Sequence, residues 1–456
     1  MSELIISVSG LRGLVGKTLT PEVAARYATA FAEIALPGPI LITSDGRESG
    51  PMLAAAITQQ LTAIGRDVFN GGVAATPTTG VLVRHLNAAG GIQISASHNP
   101  AEYNGLKLFS SEGRVIPAQE GEKVLARYQQ NYPSSPKSTH VTSPGTVRHI
   151  ADTITQHREL VLRLVKVARI QAKQFHVLLD ANHGSGSVLG VPLLESLGCR
   201  VTVLGGTPDG RFAHTPEPTA ENLSGVLAKV REVGAAIGFC TDPDADRLAV
   251  IDENGRYLGE EYTLAMCVDH VLRSQVEPLL RPVVTNCSTS RMSEDLANKY
   301  GVPFFRSAVG EANVVDQMQT VQALLGGEGN GGVIEPQVGW VRDSMVGMAY
   351  LLDAMAARNL PISQLAEELP RYEIVKSKAT VAREKIPAAL AALEKHFSDA
   401  AFDKLDGLRL DWPGKWLLVR ASNTEPVVRA IAEASTAQEA QRLCDESVEV
   451  LQTINS

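Results

Sequence analysis

The amino-acid sequence repeats one arrangement three times: an apolar strand, a polar turn, a helix, and then a glycine that opens another strand. The three copies start at the segments PILITSDGRES, HVLLDANHGSG and PVVTNCSTS. Nearly continuous apolar strands that alternate with helices are typical of parallel sheets covered on both faces. The repeat therefore predicts three similar α/β/α layers. In such sheets ligands bind beyond the carboxyl ends of the strands, where the polar turns lie.

The last part of the chain predicts a fourth, different domain. A strand (YEIVKSKATV), a helix (EKIPAALAALEKHF), two or three strands and a final helix indicate a small α+β unit that closes over the others. We expect a helix near 150–172 to lead from a Pro/Ser/Thr-rich segment into the second layer. The predicted domains are 1–148, 149–254, 255–369 and 370–456.

The composition limits the partners of this chain. A formal net charge of −8 argues against nucleic acid or an anionic membrane as the main partner. The sequence shows neither a secretion signal nor an apolar run of about 18 residues, so we expect a cytoplasmic protein. An anionic small molecule would then have to meet a local cluster of cations. Cys199 and Cys240 lie beside apolar runs and are expected in the core.

The strongest single signal is the loop TDPDADRL. Asp242, Asp244 and Asp246 occupy alternate positions of an extended loop, so their carboxylates would face one another and repel. A hard divalent cation removes that repulsion, and all-oxygen ligation suits Mg²⁺. A solvated acidic turn is the alternative. A calcium EF-hand is excluded, because Arg247 stands where that loop needs glycine and the flanking segments read as strands.

A second signal is the segment SASHNP, which directly follows the apolar strand GGIQI. A serine at a strand-to-turn junction is exposed and held in place, as a nucleophile should be. His98 beside it could transfer a proton or orient a phosphate. Taken alone, the segment is more typical of a plain Asn-Pro turn than of a nucleophile.

Three further loops could bind the rest of a phosphorylated ligand. In GEGNGG, the glycines let the backbone approach a ligand, while Glu328 and Asn330 offer a carboxylate and an amide to hydroxyl groups. In RASNTEPVVR, Arg420 and Arg429 could surround a phosphate together with exposed backbone N–H groups. SGLRG adds Arg12 in a predicted turn. A flexible hairpin and a polar hairpin are the alternatives for the first two loops.

With SGLRG, SASHNP, DPDADR, GEGNGG and RASNTEP in this order, the sequence resembles the α-D-phosphohexomutase family along its whole length. The resemblance implies three similar α/β/α domains with mainly parallel mixed sheets and a C-terminal α+β domain, like the TATA-binding protein, around a central cleft. It also implies an intramolecular phosphotransferase. Such an enzyme interconverts the 6-phosphate and 1-phosphate of a hexose or hexosamine through a phosphoserine and an enzyme-bound 1,6-bisphosphate, which also serves as activator.

The resemblance assigns roles to individual positions. Ser97 corresponds to the phosphoserine, and it completes a Mg²⁺ shell formed by the three aspartates. The residues that match cationic or polar positions around the reacting phosphate are Arg12, Lys107 and Arg247. The sugar-binding loop falls on Glu328 and Asn330. The distal phosphate site falls on Arg420, Ser422, Asn423, Thr424 and Arg429.

The sugar loop departs from the family pattern Gly-Glu-x-Ser-Gly-His, because Asn330 and Gly332 replace the serine and the histidine. The acid/base must therefore lie elsewhere, and His98 and Lys107 are the candidates. The loop is similar to that of archaeal-type phosphoglucosamine mutases, and Arg342 nearby could shape the sugar pocket. We expect a phosphoglucosamine mutase, monomeric or homodimeric. A phosphomannomutase/phosphoglucomutase and, from another class, a metal-dependent phosphatase are the alternatives.

Overall fold

Within the part of the chain that the structure describes, four β-sheets, each with its own helices, follow one another. The computed structural model describes residues 4–7, 10–130, 143–274, 281–421 and 427–455. The first sheet contains the strands Ile5–Ser7 (β1), Gly10–Leu14 (β2), Ile40–Ser44 (β3), Val68–Val73 (β4), Gly90–Ile94 (β5), Tyr103–Ser110 (β6) and Val147–His149 (β7). Its helices are Pro21–Ile34 (α1), Gly50–Ala63 (α2), Thr76–His85 (α3) and Ala118–Gln130 (α4).

The second layer has four strands and four helices within the described residues. The strands are His176–Asp180 (β8), Arg200–Leu204 (β9), Ile237–Thr241 (β10) and Leu248–Asp252 (β11). The helices are Thr155–Leu164 (α5), Val167–Gln171 (α6), Gly186–Ser196 (α7) and Ser224–Val233 (α8).

The third layer has the same number of strands. They are Val283–Asn286 (β12), Phe304–Ser307 (β13), Leu325–Glu328 (β14) and Gly332–Ile334 (β15). The accompanying helices are Glu260–Arg273 (α9), Met292–Tyr300 (α10), Glu311–Val321 (α11), Ser344–Arg358 (α12) and Ile362–Glu367 (α13).

The C-terminal sheet differs, because all of its described pairs are antiparallel. Its strands are Glu373–Thr380 (β16), Ala401–Asp403 (β17), Leu408–Trp412 (β18), Lys415–Ala421 (β19) and Val427–Ala434 (β20), in the order β16-β20-β19-β18-β17. The helices that pack on it are Ile386–His396 (α14) and Ala437–Asn455 (α15), with a 3₁₀ turn at Arg383–Lys385 before α14. This is the strand, helix, strands, helix order that the sequence predicts.

The first three sheets share one four-stranded unit: β4-β3-β5-β6, β9-β8-β10-β11 and β13-β12-β14-β15. In each unit the first strand in the chain lies between the second and the third and runs parallel to both. The fourth strand then pairs antiparallel with the third. The predicted fold class, three similar α/β/α layers plus an α+β domain, is confirmed.

One continuous apolar core joins the second and third layers, and it also includes Ala75 and Val81 from the first layer. Most of the first layer and the C-terminal domain have cores of their own. All five cysteines are buried, as predicted for Cys199 and Cys240. Among the described residues, none of the helices combines the length and apolarity needed to cross a membrane.

The expectation of a single helix near 150–172 is wrong. Two helices, α5 and α6, occupy this region, and Val165 between them is extended. The carboxylate of Asp353, on α12, accepts a hydrogen bond from the backbone N–H of Lys166 at 3.3 Å. This N–H is thus used in a tertiary contact rather than inside a helix. A partner 187 residues away leaves no signal in the local pattern.

Gly80 lies where α3 packs closely on the loop after β6. A Cβ at this position would lie 2.4 Å from the carbonyl oxygen of Gly113. We expect Gly80→Ala to lower the free energy of unfolding by about 1–3 kcal/mol, because the backbone must shift. Gly225→Ala in α8 is the matched control: nothing lies within 4 Å of its Cβ. The free energy of unfolding of that variant should rise by about 0.4–1 kcal/mol. If urea unfolding showed the same change in stability for both variants, this packing would be contradicted.

Candidate active site

The motif loops of all four domains line one cavity of about 650 Å³. The predicted site residues that line it are His98, Arg247, Glu328, Asn330, Arg420 and Arg429. Three of the loops occupy the same place in the repeated unit, between the third and the fourth strand, at the carboxyl end of β5, β10 and β14. The structure therefore brings together residues that are more than 300 positions apart in the chain.

Ser97 lies in a tight turn between β5 and β6. Its φ of +49° is left-handed, which is uncommon for a residue with a side chain. The Oγ atom donates a hydrogen bond to Asp242 Oδ2 at 2.8 Å and lies 3.3 Å from His98 Nδ1. The first layer thus presents Ser97 directly to the acidic loop of the second layer.

The carboxylates of Asp242, Asp244 and Asp246 are fully buried, and their ligand atoms lie within 4.8 Å of one another. Ala245, between the last two, adopts a left-handed φ of +53°, which turns the chain so that all three carboxylates face the same point. The loop connects two buried strands, β10 and β11, rather than two helices. This is why the EF-hand interpretation fails.

Cations from the other layers balance this buried negative charge. Lys107 on β6 donates to Asp244 Oδ2 at 2.9 Å and to Asp246 Oδ2 at 2.8 Å. Arg342, which precedes α12, donates from Nη2 to Asp246 Oδ2 at 2.7 Å. Thr76 at the start of α3 adds a hydroxyl at 2.5 Å from Asp244 Oδ2. The acidic loop therefore ties the first three layers together.

The pKa values of these groups follow their surroundings. Burial and the two neighbouring aspartates raise the pKa of Asp242 well above its ordinary value. Burial also acts to raise the pKa of Asp244, but the Lys107 ammonium and the Thr76 hydroxyl outweigh it and lower this pKa. Although burial opposes its charge, Lys107 has a raised pKa because Asp244 and Asp246 face it. Lys107 is accordingly held in its charged ammonium form.

The acidic trio fits a hard divalent cation. The Oδ1 atoms of Asp244 and Asp246 are buried and make no hydrogen bond. Unsatisfied buried carboxylate oxygens cost free energy unless a cation coordinates them. Mg²⁺ and Mn²⁺ prefer an all-oxygen ligand set of this kind, whereas softer metals do not.

Glu328 and Asn330 lie at the tip of the hairpin formed by β14 and β15. The Glu328 carboxylate accepts from Asn286 Nδ2 at 2.7 Å and from Arg342 Nη1 at 2.9 Å. Glu328 is thus fixed by the protein, which removes the alternative of a flexible hairpin at this residue. Asn330 has a buried Oδ1 without a hydrogen-bond partner.

Arg342 also explains why the sugar loop lacks a histidine. A Cβ at Gly332 would lie 2.4 Å from Arg342 Cδ. The arginine side chain therefore occupies the space that a side chain at position 332 would need. Arg342 bridges Glu328 and Asp246, so it couples the hairpin to the acidic trio rather than only shaping a sugar pocket.

In the C-terminal domain, three cations form a row across neighbouring strands. Lys378 on β16 is the cross-strand partner of Arg429 on β20, which is in turn the partner of Arg420 on β19. Directly opposed side chains share one face of a sheet, and like charges in this arrangement repel. All three line the cavity, and Arg420 also pairs with Asp406 at 2.9 Å. An anion bound in the cavity would relieve this repulsion. The predicted residues Ser422, Asn423 and Thr424 lie outside the described residues.

The remaining predicted cations approach the site from two sides. Arg12 Nη1 lies 3.5 Å from Asn99 Oδ1, next to the Ser97 turn. Arg247 donates its backbone N–H to Asp242 Oδ1 at 3.2 Å, and its Nη1 lies 3.8 Å from Glu217 Oε1. Burial, together with Arg247 and Arg12, lowers the pKa of His98 to about 3. His98 is neutral at physiological pH.

Sequence reasoning missed several residues that build the site. Asp45 and Arg47 follow β3 and contact the Ser97 turn through Ser95 and the backbone. The positions of both residues at the end of β3 could have indicated this role, because β3 and β5 are neighbouring parallel strands whose carboxyl ends must meet. Thr76 and Lys378 carry no local signal, since each is recognised only through a distant partner.

Asp244→Asn should weaken cation binding. MgCl₂ that binds only the folded protein raises its melting temperature, and removal of one carboxylate should abolish most of this rise. Asp252→Asn is the control, because this buried carboxylate on β11 pairs with Arg256 and lies outside the trio. The readout is the difference in melting temperature with and without MgCl₂ for each variant. If MgCl₂ raised the melting temperature of Asp244→Asn as much as that of the wild type, the trio would be excluded as the cation site.

Comparisons with known proteins agree with this arrangement. Four family profiles match: phosphoglucomutase/phosphomannomutase α/β/α domain I at residues 4–134, domain II at 154–255, domain III at 260–372, and the C-terminal domain at 376–450.

Curated relatives match over nearly their full length. A phosphoglucomutase/phosphomannomutase of Thermococcus kodakarensis is 34% identical, covering 97% of both chains. A probable phosphoglucosamine mutase of Methanopyrus kandleri is 32% identical, covering 97% of this chain and 96% of that protein. The crystal structure of a phosphoglucomutase/phosphomannomutase family protein of Burkholderia thailandensis superimposes with a TM-score of 0.85 at 27% identity, covering 99% of this chain and 97% of that one. The chain therefore belongs to the phosphoglucomutase/phosphomannomutase family of α-D-phosphohexomutases.

Proposed function

We propose that this phosphohexomutase interconverts glucosamine 6-phosphate and glucosamine 1-phosphate, with Ser97 as the phosphoryl carrier. One observation carries the proposal: Ser97 Oγ, hydrogen-bonded to Asp242 at 2.8 Å, lies 3.3 Å from Nδ1 of His98, which lines the same cavity as the cationic row of Lys378, Arg420 and Arg429. A sugar bisphosphate has one phosphate for each end of such a cavity.

The reaction has two matched transfers. In the first, the P–Oγ bond of phosphoserine 97 breaks, a P–O bond to the free sugar hydroxyl forms, and the hydroxyl proton passes to Ser97 Oγ. The resulting 1,6-bisphosphate turns over in the cavity, and its other phosphate returns to Ser97 by the reverse of this step. Added bisphosphate activates the enzyme because it phosphorylates Ser97 directly.

Phosphoryl transfer depends on alignment and on neutralisation of charge more than on covalent assistance. Lys107, Arg12 and Arg247 are the cationic side chains near Ser97 that would orient the reacting phosphate. Mg²⁺ held by Asp242, Asp244 and Asp246, with an oxygen of the Ser97 group, would neutralise further charge when bound. His98 Nδ1, 3.3 Å from Ser97 Oγ, is placed to relay the proton.

Two observations favour an amino sugar. Several curated relatives are named probable phosphoglucosamine mutases. The cavity is also lined by Glu217, Glu260 and Glu261. Burial raises the pKa of Glu260 to about 7 and that of Glu261 to about 8, and the ammonium group of glucosamine would favour their ionised forms. The alternative is a phosphomannomutase/phosphoglucomutase, the name of the relative from Thermococcus kodakarensis.

We further propose that the four loops belong to domains 1–148, 149–254, 255–369 and 370–456. The first boundary falls within β7, which pairs with β4 of the first sheet. The second boundary lies shortly after β11, and the third lies shortly after α13. Each boundary thus leaves the four-stranded unit of its layer intact.

Ser97→Ala should lower mutase turnover by about 10³-fold or more, because the carrier is lost. The wild type, incubated with Mg²⁺ and glucosamine 1,6-bisphosphate, should carry phosphate on the peptide that contains Ser97. This phosphate should disappear on addition of glucosamine 6-phosphate. Phosphopeptide mapping that finds another phosphorylated residue, or near-wild-type turnover by Ser97→Ala, would exclude the proposed carrier.

The sugar preference is measured separately. We expect kcat/KM for glucosamine 6-phosphate to exceed the values for glucose 6-phosphate and mannose 6-phosphate by about tenfold or more, as for one charge-assisted hydrogen bond. The three substrates share the phosphate and differ at C2, so the comparison isolates that position. Equal or higher values for glucose or mannose 6-phosphate would support the alternative activity.

A further inference from the structure

The turn that holds Ser97 is built around one buried arginine. We propose that Arg47 is a positioning residue that fixes the Ser97 turn, and that Phe212 from the second layer completes the binding site for its guanidinium group. The inference rests on the proposed role of Ser97 as phosphoryl carrier. Arg47 itself does not contact the reacting oxygen.

All five N–H donors of Arg47 are used. Nε donates to Asp45 Oδ2 at 3.0 Å. Nη2 donates to the carbonyl oxygens of Ser97 and Asn99, both at 2.6 Å. Nη1 donates to the carbonyl oxygens of Pro100 and Tyr103 at 2.7 and 3.0 Å. One side chain therefore binds four backbone carbonyls of the turn, and it is only 1% exposed.

A second chain of hydrogen bonds links Arg47 to the Ser97 backbone from the other side. Its ion-pair partner, Asp45, accepts a hydrogen bond from Ser95 Oγ at 2.7 Å. Ser95 Oγ in turn accepts the backbone N–H of Ser97 at 2.8 Å. Both the N–H and the C=O of Ser97 are thus fixed through the Asp45–Arg47 pair.

Restraint from both sides is needed because Ser97 has an unfavourable backbone conformation. The left-handed φ of +49° costs free energy for a residue with a Cβ, so an unrestrained turn would relax. Relaxation would displace Oγ from Asp242. Displacement of a reacting atom by about 1 Å can reduce the rate of an enzymatic step about 100-fold.

The second layer closes the arginine site. The ring of Phe212 lies over the guanidinium group, with Cζ 4.9 Å from the ring centroid. Two glycines permit this approach: a Cβ at Gly46 would lie 2.6 Å from Pro208 O, and a Cβ at Gly210 would lie 2.6 Å from Arg47 Cα. The loop that carries Phe212 therefore packs directly on the turn that carries Arg47.

Lysine cannot replace this arginine. Its ammonium group has three donors around one nitrogen, whereas the guanidinium group has five donors in a planar fork. Arg47→Lys keeps the charge but cannot bind four carbonyls and a carboxylate together. We expect kcat to fall about 30- to 100-fold while KM changes by less than about threefold, because the substrate sites are untouched.

A partition measurement separates positioning from mere stability. Phosphoserine 97 can transfer its phosphoryl group to the sugar or to water, and only the first transfer needs accurate alignment. We expect inorganic phosphate released per isomerised sugar to rise about tenfold or more in Arg47→Lys. Loss of folded protein cannot change this ratio. Phe212→Leu leaves the hydrogen bonds of Arg47 in place and should raise the same ratio by a smaller factor. This second variant tests the inference if Arg47→Lys does not fold.

Arg114→Lys is the matched control. Arg114 is also buried in the first domain and bonds across a layer boundary, to Gln319 Oε1 at 2.8 Å and Asp316 Oδ1 at 2.6 Å, outside the cavity. Its variant should keep the wild-type kcat and partition ratio. A wild-type ratio in both Arg47→Lys and Phe212→Leu would overturn the inference. Absence of phosphate on wild-type Ser97 would instead refute the proposed function, and with it the reason for fixing this turn.

Discussion

The burial of three carboxylates in one loop is the constraint on which the arrangement of the domains depends. Asp242, Asp244 and Asp246 have no contact with bulk water, and a buried carboxylate without a partner costs several kcal/mol. The compensating charges come from Lys107 in the first layer and Arg342 in the third. The loop of the second layer is therefore stable only when all three layers are in place, which explains how residues so distant in sequence form one site.

The repeated topology explains why the chemistry lies at one edge of each layer. Ser97, the acidic trio and the Glu328 hairpin all follow the third strand of their four-stranded units. Because the fourth strand returns antiparallel, each unit has a short connection at this edge rather than a helix crossover. A short connection can be held rigidly, as Arg47 holds the Ser97 turn and Arg342 holds Glu328. Three copies of one structural element thus present three different sets of side chains to the candidate site.

The sequence was sufficient for the repeated units, because strands, helices and glycine-containing turns are encoded locally. It also indicated which loops meet at the candidate site, since unusual clusters of charge or glycine have few structural explanations. Features that depend on distant contacts could not be predicted. The break before α6 depends on Asp353, and the position of Asp244 depends on Thr76. The glycine at position 332, where the family pattern has histidine, is explained by Arg342, whose side chain fills the space that a larger residue would need.

The distribution of charge around the cavity bears on the substrate. Of the lining cations, Lys378, Arg420 and Arg429 form the row on the C-terminal domain, Lys376 lies on the same domain and Arg247 lies on the second layer, whereas the lining glutamates lie on the second and third layers. A phosphate of an uncharged hexose would compensate only the cationic wall. An amino sugar phosphate would place its phosphate against that row and its ammonium group toward the acidic wall, so both walls would be neutralised by one ligand. This polarity is the physical basis of the proposed preference for glucosamine phosphate over glucose or mannose phosphate.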